Sequence, residues 1–299
     1  MTRLERLQTA MQGAGLDALL LGGEGAGQFA AGHTRIGVHM GGSPTPATVV
    51  PRTGPPHVVT ADPDGATGLP GDHVHGMMWD PTSLVAELPR WLGAPAVAPA
   101  ALRIGVDALS PGGRALIAAA IPGCVLVDAT QLLAEVMLPK SPGEIEVMEG
   151  LHRVVSAAAR AGLAGDRAAI YRALEGSFPI TYPTLGEGRA QVAARRGGLI
   201  AECRIGPGDP SVGEEALTHL APGRTAAEVA ADLPPAVEVV GLGRSYEAPL
   251  IRSGRAFPED LTLVPGAVLA LRWEGRGLTA VVEAGGARQF ATGSGEDAR

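Results

Sequence analysis

Leu138-Pro139-Lys140-Ser141-Pro142-Gly143-Glu144-Ile145 is the stretch on which the organisation of this chain turns. Ser141 suits an N-cap, Pro142 the first helical position, and Glu144 stands where a capping box needs its acid. Ile145, Met148, Leu151 and Val155 follow at helical intervals and predict an amphipathic helix reaching about Ala161. On the N-terminal side, strands and helices alternate. Thr2-Arg3-Leu4-Glu5 opens a helix carrying Leu4, Leu7 and Met11, and residues 17–21 read as a buried strand. Short apolar runs follow at 47–50, 57–60, 104–106 and 125–127, with a helical run at 112–120 between the last two. The pattern predicts an α/β domain over residues 1–125, a linker over 126–143 and a second domain over 144–299. In the latter, Thr225-Ala226-Ala227-Glu228 opens a helix that Pro234-Pro235 stops, and 189–194, 199–205, 237–240, 267–273 and 278–282 read as strands. That half is α+β.

Composition bounds the function. At 299 residues, two cores are the natural expectation. A hydrophobic fraction of 45% supplies them, and with 3% aromatics they are built from aliphatic side chains. The formal charge of −7 argues against nucleic acid or an anionic membrane as partner. There is no apolar run of membrane-spanning length and no signal-peptide core. Cys124 and Cys203 read as reduced, buried thiols of a cytoplasmic protein.

Several of these segments together resemble the creatinase, prolidase and methionine aminopeptidase family. Gly15-Leu16-Asp17-Ala18-Leu19-Leu20-Leu21 is similar to its N-terminal domain, and Leu138 to Ile145 to its interdomain "K-S-P-x-E-I" segment. Pro222-Gly223-Arg224-Thr225 resembles its "PG-x-T" helix start. Gly241-Leu242-Gly243 and Glu247-Ala248-Pro249 resemble the remains of "HGxG…HExP", and Leu263 to Leu271 resembles "L-x-x-G-M-V-x-x-x-E-P". The resemblance implies a creatinase-type α/β N-terminal domain and a shortened, pita-bread-like α+β C-terminal domain, the missing stretch lying between the 142–161 helix and Arg189. It also implies a homodimer.

Peptidases of that family hold two metals with two Asp, one His and two Glu, whose hard donors activate a bridging water. Carried over position by position, those ligands fall on Gln191, Glu202, Val240, Arg272 and Gly277, and a proton-transferring histidine falls near Tyr246. One carboxylate beside an arginine reverses the charge a metal pair needs. The expectation is therefore an Xaa-Pro peptidase-like protein without metal, cofactor or catalytic residues, serving a binding or interaction role. A metal-independent creatinase-like hydrolase, an active Xaa-Pro peptidase with relocated residues, and a small-molecule sensor are the alternatives.

Glu202, Arg204, Arg244, Tyr246, Glu247, Arg272 and Glu274 are the residues expected around the residual cleft. There the arginines either grip a peptide or carboxylate ligand, or Arg272 and Glu202 form a salt bridge that fills the vacated site. His73-Val74-His75 places two imidazoles on one strand face, but with no third ligand in sight these, like His33 and His39, read as surface or loop histidines. Gly22-Gly23-Glu24-Gly25-Ala26-Gly27 reads as a flexible βα loop and not a nucleotide turn. Cys203 reads as a packed thiol.

Overall fold

A computed structural model describes residues 1–32, 48–60, 63, 68–76, 80–92, 102–107, 109–180, 184–186 and 188–291. His33 and His39 lie outside them. The chain divides into two compact units, Met1–Val136 and Met137–Arg299.

The first unit runs α1 (Arg3–Gly13), β1 (Ala18–Leu21), α2 (Glu24–Ala31), β2 (Thr48–Pro51), β3 (His57–Thr60), a 3-10 turn at Gly71–His73, β4 (Val74–Gly76), α3 (Pro81–Trp91), β5 (Arg103–Val106), α4 (Pro111–Ala120), β6 (Val125–Asp128) and α5 (Thr130–Met137). Its six-stranded mixed sheet has the order β4-β3-β2-β1-β5-β6, with β1, β5 and β6 parallel. Leu20, Val49, Ile104 and Val106 from the sheet pack against Leu84, Leu88 and Ile117 from α3 and α4. Such side chains contribute about 1.5–3 kcal/mol each on full burial.

Two features depart from expectation. Residues 126–143 are not a bare linker, because β6 extends the sheet beside β5 and α5 follows it. The Gly-rich turn does not open a loop either. Gly23 caps α2, and Gly32, at φ 68°, ends it in the left-handed conformation that glycine accepts. The amides of Gly22 and Gly23 point at the Asp107 carboxylate, so the turn already holds an anion, one from its own chain. Burial raises the Asp107 pKa, and the two amides oppose that shift.

The second unit begins with α6 (Pro142–Leu163) and α7 (Arg167–Ala173). A first sheet follows from β7 (Phe178–Pro179), β8 (Thr184–Gly186), β9 (Arg189–Arg196) and β10 (Leu199–Ile205). After α8 (Pro210–Thr218) and α9 (Ala226–Asp232) comes a second sheet, made of β11 (Glu238–Leu242), β12 (Tyr246–Arg252), β13 (Arg255–Phe257), β14 (Val268–Trp273), β15 (Arg276–Glu283) and β16 (Gly286–Gln289). The strand orders are β10-β9-β7 with β8 on β9, and β13-β12-β11-β14-β15-β16, antiparallel throughout.

The capping boxes expected at Thr2/Glu5, Ser141/Glu144 and Thr225/Glu228 are all formed. From α6, Leu151, Val155, Ala158 and Ala159 pack on Val192, Ala194 and Ala201 of the first sheet. This packing fixes the two long strands that carry the candidate site. Between α6 and β9 the described residues hold one short helix and two short strands, where the expected shortening falls. Among the described residues no helix is long and apolar enough to cross a membrane.

Candidate functional site

Glu202 lies mid-strand in β10, 3% exposed, with its carboxylate aimed at the second sheet. Arg272, near the end of β14, meets it with two parallel hydrogen bonds. Nε donates to Oε1 at 2.7 Å and Nη2 to Oε2 at 2.6 Å. This bidentate geometry matches a planar guanidinium to a planar carboxylate. The Tyr246 hydroxyl, from the first residue of β12, donates to Oε2 at 3.0 Å. Arg204 Nε sits 3.3 Å from Oε1, an ionic contact without hydrogen-bond alignment. The Arg272 guanidinium also lies over the Tyr246 ring, 4.9 Å from its centroid.

The electrostatics follow from this packing. Burial pushes the Tyr246 phenol up to about 12, and the negative Glu202 beside it adds to the shift. Burial acts to lower the Arg272 pKa, but its hydrogen bonds to Glu202 and that residue's charge outweigh it, and the net shift is upward. The backbone carbonyl of Glu202 is held as well, by the Thr279 hydroxyl at 3.4 Å and by His152 Nδ1 at 3.1 Å. His152 is 2% exposed, and burial lowers its pKa to about 4, so it serves as a neutral donor.

Glu247, the next residue along β12, belongs to a second buried pair. Lys140 Nζ donates to its Oε2 at 2.9 Å, with both side chains 6% exposed, and the Arg244 amide donates to its Oε1 at 2.9 Å. Any side chain at Gly243 would collide with this carboxylate. Arg244 is itself buried, and its carbonyl accepts from Arg195. Glu274 stands apart, exposed in the β14–β15 turn at φ 43°.

Of the seven sequence candidates, the fold thus gathers Arg204, Tyr246 and Arg272 around the Glu202 carboxylate, places Glu247 in a neighbouring ion pair with the Arg244 amide on it, and leaves Glu274 outside. Lys140, His152 and Thr279 were missed. For Lys140 a signal was available, since it is the chain's single lysine and lies in the quoted boundary segment. His152 was visible only as a helix residue, and its contact depends on the packing of α6 over β10.

The positions expected to bind metal do not fit a metal pair. Gln191 lies opposite Arg204 across the β9–β10 ladder, Val240 is an apolar residue of β11, and Arg272 pairs directly with Gly277 across β14–β15. A Cβ built on Gly277 would lie 3.4 Å from Arg204 Cβ, so the Arg204 side chain borders the place a ligand from that position would use. One carboxylate remains, its oxygens already bound by Arg272 and Tyr246, and the positive charge comes from two guanidinium groups. Hard dications need several oxygen or imidazole donors. Among the described residues no group of three or more His, Cys, Asp or Glu could hold a metal ion.

The first unit has its own polar cluster. His73 lies in the 3-10 turn and not on the strand, and a third imidazole, His57, joins it from β3. The His57 and His73 rings stack at 3.9 Å, and Trp91 stacks on His57 and on His75. Cys203 is a buried thiol whose pKa burial raises, whereas Cys124 is only half-buried.

No protein-family model and no curated protein matches the sequence. The three-dimensional comparison is decisive. A recombinant prolidase from Thermococcus sibiricus superposes over 98% of this chain and 96% of its own, with TM-score 0.69 at 13% identity. Dipeptidase PepE from Mycobacterium ulcerans gives 0.64 at 20% identity, over 98% and 95%. The chain has the two-domain prolidase fold. Its second unit is the pita-bread domain, with the creatinase-type α/β domain before it. The same fold appears in the N-terminal domain of FACT complex subunit SPT16 from Cicer arietinum (chickpea), at TM-score 0.60 and 12% identity over 98% and 96%. Peptidases are therefore not the only proteins named on this scaffold.

Proposed function

We propose that this chain is a non-catalytic pita-bread protein related to the Xaa-Pro peptidases, with a binding or interaction role. One observation carries the reading: Arg272 clamps Glu202 where the resemblance puts two metal-binding carboxylates. A cation held by two short hydrogen bonds occupies the centre that a hydrolytic metal would need. A cytoplasmic homodimer is part of this proposal, as in the sequence-based expectation.

The rival, a metal-free or relocated hydrolase, needs an acid–base group in reach of substrate. His152 is buried and committed to the Glu202 carbonyl, and the Tyr246 phenol is pushed up to about 12, so neither suits proton transfer near neutral pH. The sensor reading through Arg272 and Arg244 meets a similar objection, since Arg272 is taken by Glu202 and Arg244 is 4% exposed. The test is an assay of the purified chain on Xaa-Pro dipeptides with added manganese or cobalt. No turnover is expected. Turnover that disappears in Glu202→Gln would overturn the proposal.

A further inference from the structure

β10 is the outer strand of its sheet, and β15 runs beside it in the other sheet without a shared ladder. The seam between them, flanked by α6 and α8, opens into a cleft of about 380 Å³. That volume is within the range of small-molecule sites. Its charged lining is mostly basic. Among the described residues lining it, Arg160 from α6, Arg204 from β10 (also in ionic contact with Glu202) and Arg276 from β15 accompany one carboxylate, Glu214 of α8, in a chain whose formal charge is −7.

Two donors of the cleft lining have no aligned hydrogen-bond acceptor. The Ser156 hydroxyl is 1% exposed and has no oxygen or nitrogen partner, only the neighbouring Cys203 thiol. Arg204 Nε is buried and has only its ionic contact with Glu202, without an aligned hydrogen bond. Arg276 is fixed in place by Nη1, which donates to the carbonyls of Gly206 and Gly208. Buried donors without acceptors are costly, so this wall of the cleft is under-satisfied. The remaining wall is apolar, with Leu163, Ile205, Trp273 and Leu278 lining it. Trp273 is locked there by its Nε1–H bond to the Asp209 carbonyl at 2.8 Å.

We infer that this cleft binds a small organic anion. A carboxylate or phosphate head is held by Arg160, Arg204 and Arg276, and an apolar body lies against Trp273 and Leu278. Guanidinium forks bind both head groups bidentately, which is the shared chemistry. The inference goes beyond the non-catalytic reading and does not depend on it, because Arg204 alone is common to both sites.

Isothermal titration calorimetry on the full chain tests it with phenyl phosphate, 3-phenylpropionate and the neutral 3-phenylpropanol. At least one anion is expected to bind and the alcohol is not, and the preferred anion identifies the head group. Arg160→Gln, at the exposed rim, and Arg276→Gln should each weaken binding ~10-fold, as loss of a charged hydrogen-bond partner does. Arg255→Gln on β13 should leave it unchanged. Arg276→Gln also loosens the loop before α8, so Arg160→Gln, checked by its melting curve, is the decisive variant. Absence of binding by both anions, equal binding of the alcohol, or affinity unmoved in Arg160→Gln would overturn the inference.

Discussion

Two regions of this molecule collect titratable side chains, and they do so in opposite ways. Around Glu202 the charges are of opposite sign and buried, and every short contact joins a donor to an acceptor. Around His57 the groups are alike. His57 and His75 stack on Trp91 and His73 stacks on His57, and His57 Nδ1 and His75 Nε2 lie 3.1 Å apart, close enough only if one donates and the other accepts. Burial, with the neighbouring His73 and His75, lowers the His57 pKa to about 4, and His75 shifts the same way. Proximity therefore does not decide the character of a cluster. Complementary charge makes the Glu202 cluster a closed structural element, whereas burial beside like groups lowers the His57 and His75 pKa values and makes that cluster acid-sensitive.

The largest expected effect breaks the complementary cluster. Glu202→Ala leaves Arg272 and Arg204 around an uncompensated hole, and removing one partner of a buried pair costs about 3–5 kcal/mol. Urea unfolding should show that loss. A loss under about 1 kcal/mol would mean that water already screens the site. Lys140→Ala strips Glu247 of its buried cation and should cost about 3 kcal/mol in the same measurement.

Acid sharpens the contrast. His152 and His57 have folded pKa values near 4, below the ordinary value of 6.5. The unfolded chain therefore binds protons that the folded chain refuses as pH falls from 6.5 toward 4. Stability is full above 6.5 and declines through that window, by about 3 kcal/mol for the buried His152. Denaturation midpoints across the window check this, and His152→Leu should flatten the slope. Tyr246→Phe is the smallest change. It removes one of several hydrogen bonds to Glu202 from a ring that is 39% exposed, at about 1 kcal/mol. If Tyr246→Phe matched Glu202→Ala, the phenol and not Arg272 would be organising the cluster.

Local signals made much of the scaffold legible. The Ser141/Glu144 capping box and the apolar positions of α6 depend only on neighbours in sequence, and both were read correctly. Gly32 ends α2 as its C-cap, a role that depends on its φ and not on its neighbours in sequence. β12 lies outside the strands expected from the sequence, and it carries Pro249, which cannot donate to a ladder. The ladder accommodates it by shifting register between Val240 and Gly241, so that Ala248 and Pro249 are bypassed. The salt bridge between Glu202 and Arg272 could be anticipated because the resemblance placed both at one centre. Lys140 stands out as the single lysine, but its pairing with Glu247, like that of His57 with His73 and His75, could not be anticipated. Those contacts join segments far apart in the chain, and only sheet register and helix packing bring them together.

The proposed reading puts arginine in the place of metal beside Glu202. Titrating the purified, chelator-treated chain with Mn²⁺ and counting bound ions by electron paramagnetic resonance tests it most directly. The account predicts no saturable, stoichiometric binding at neutral pH. One or two tightly bound ions per chain, lost in Glu202→Gln, would contradict it.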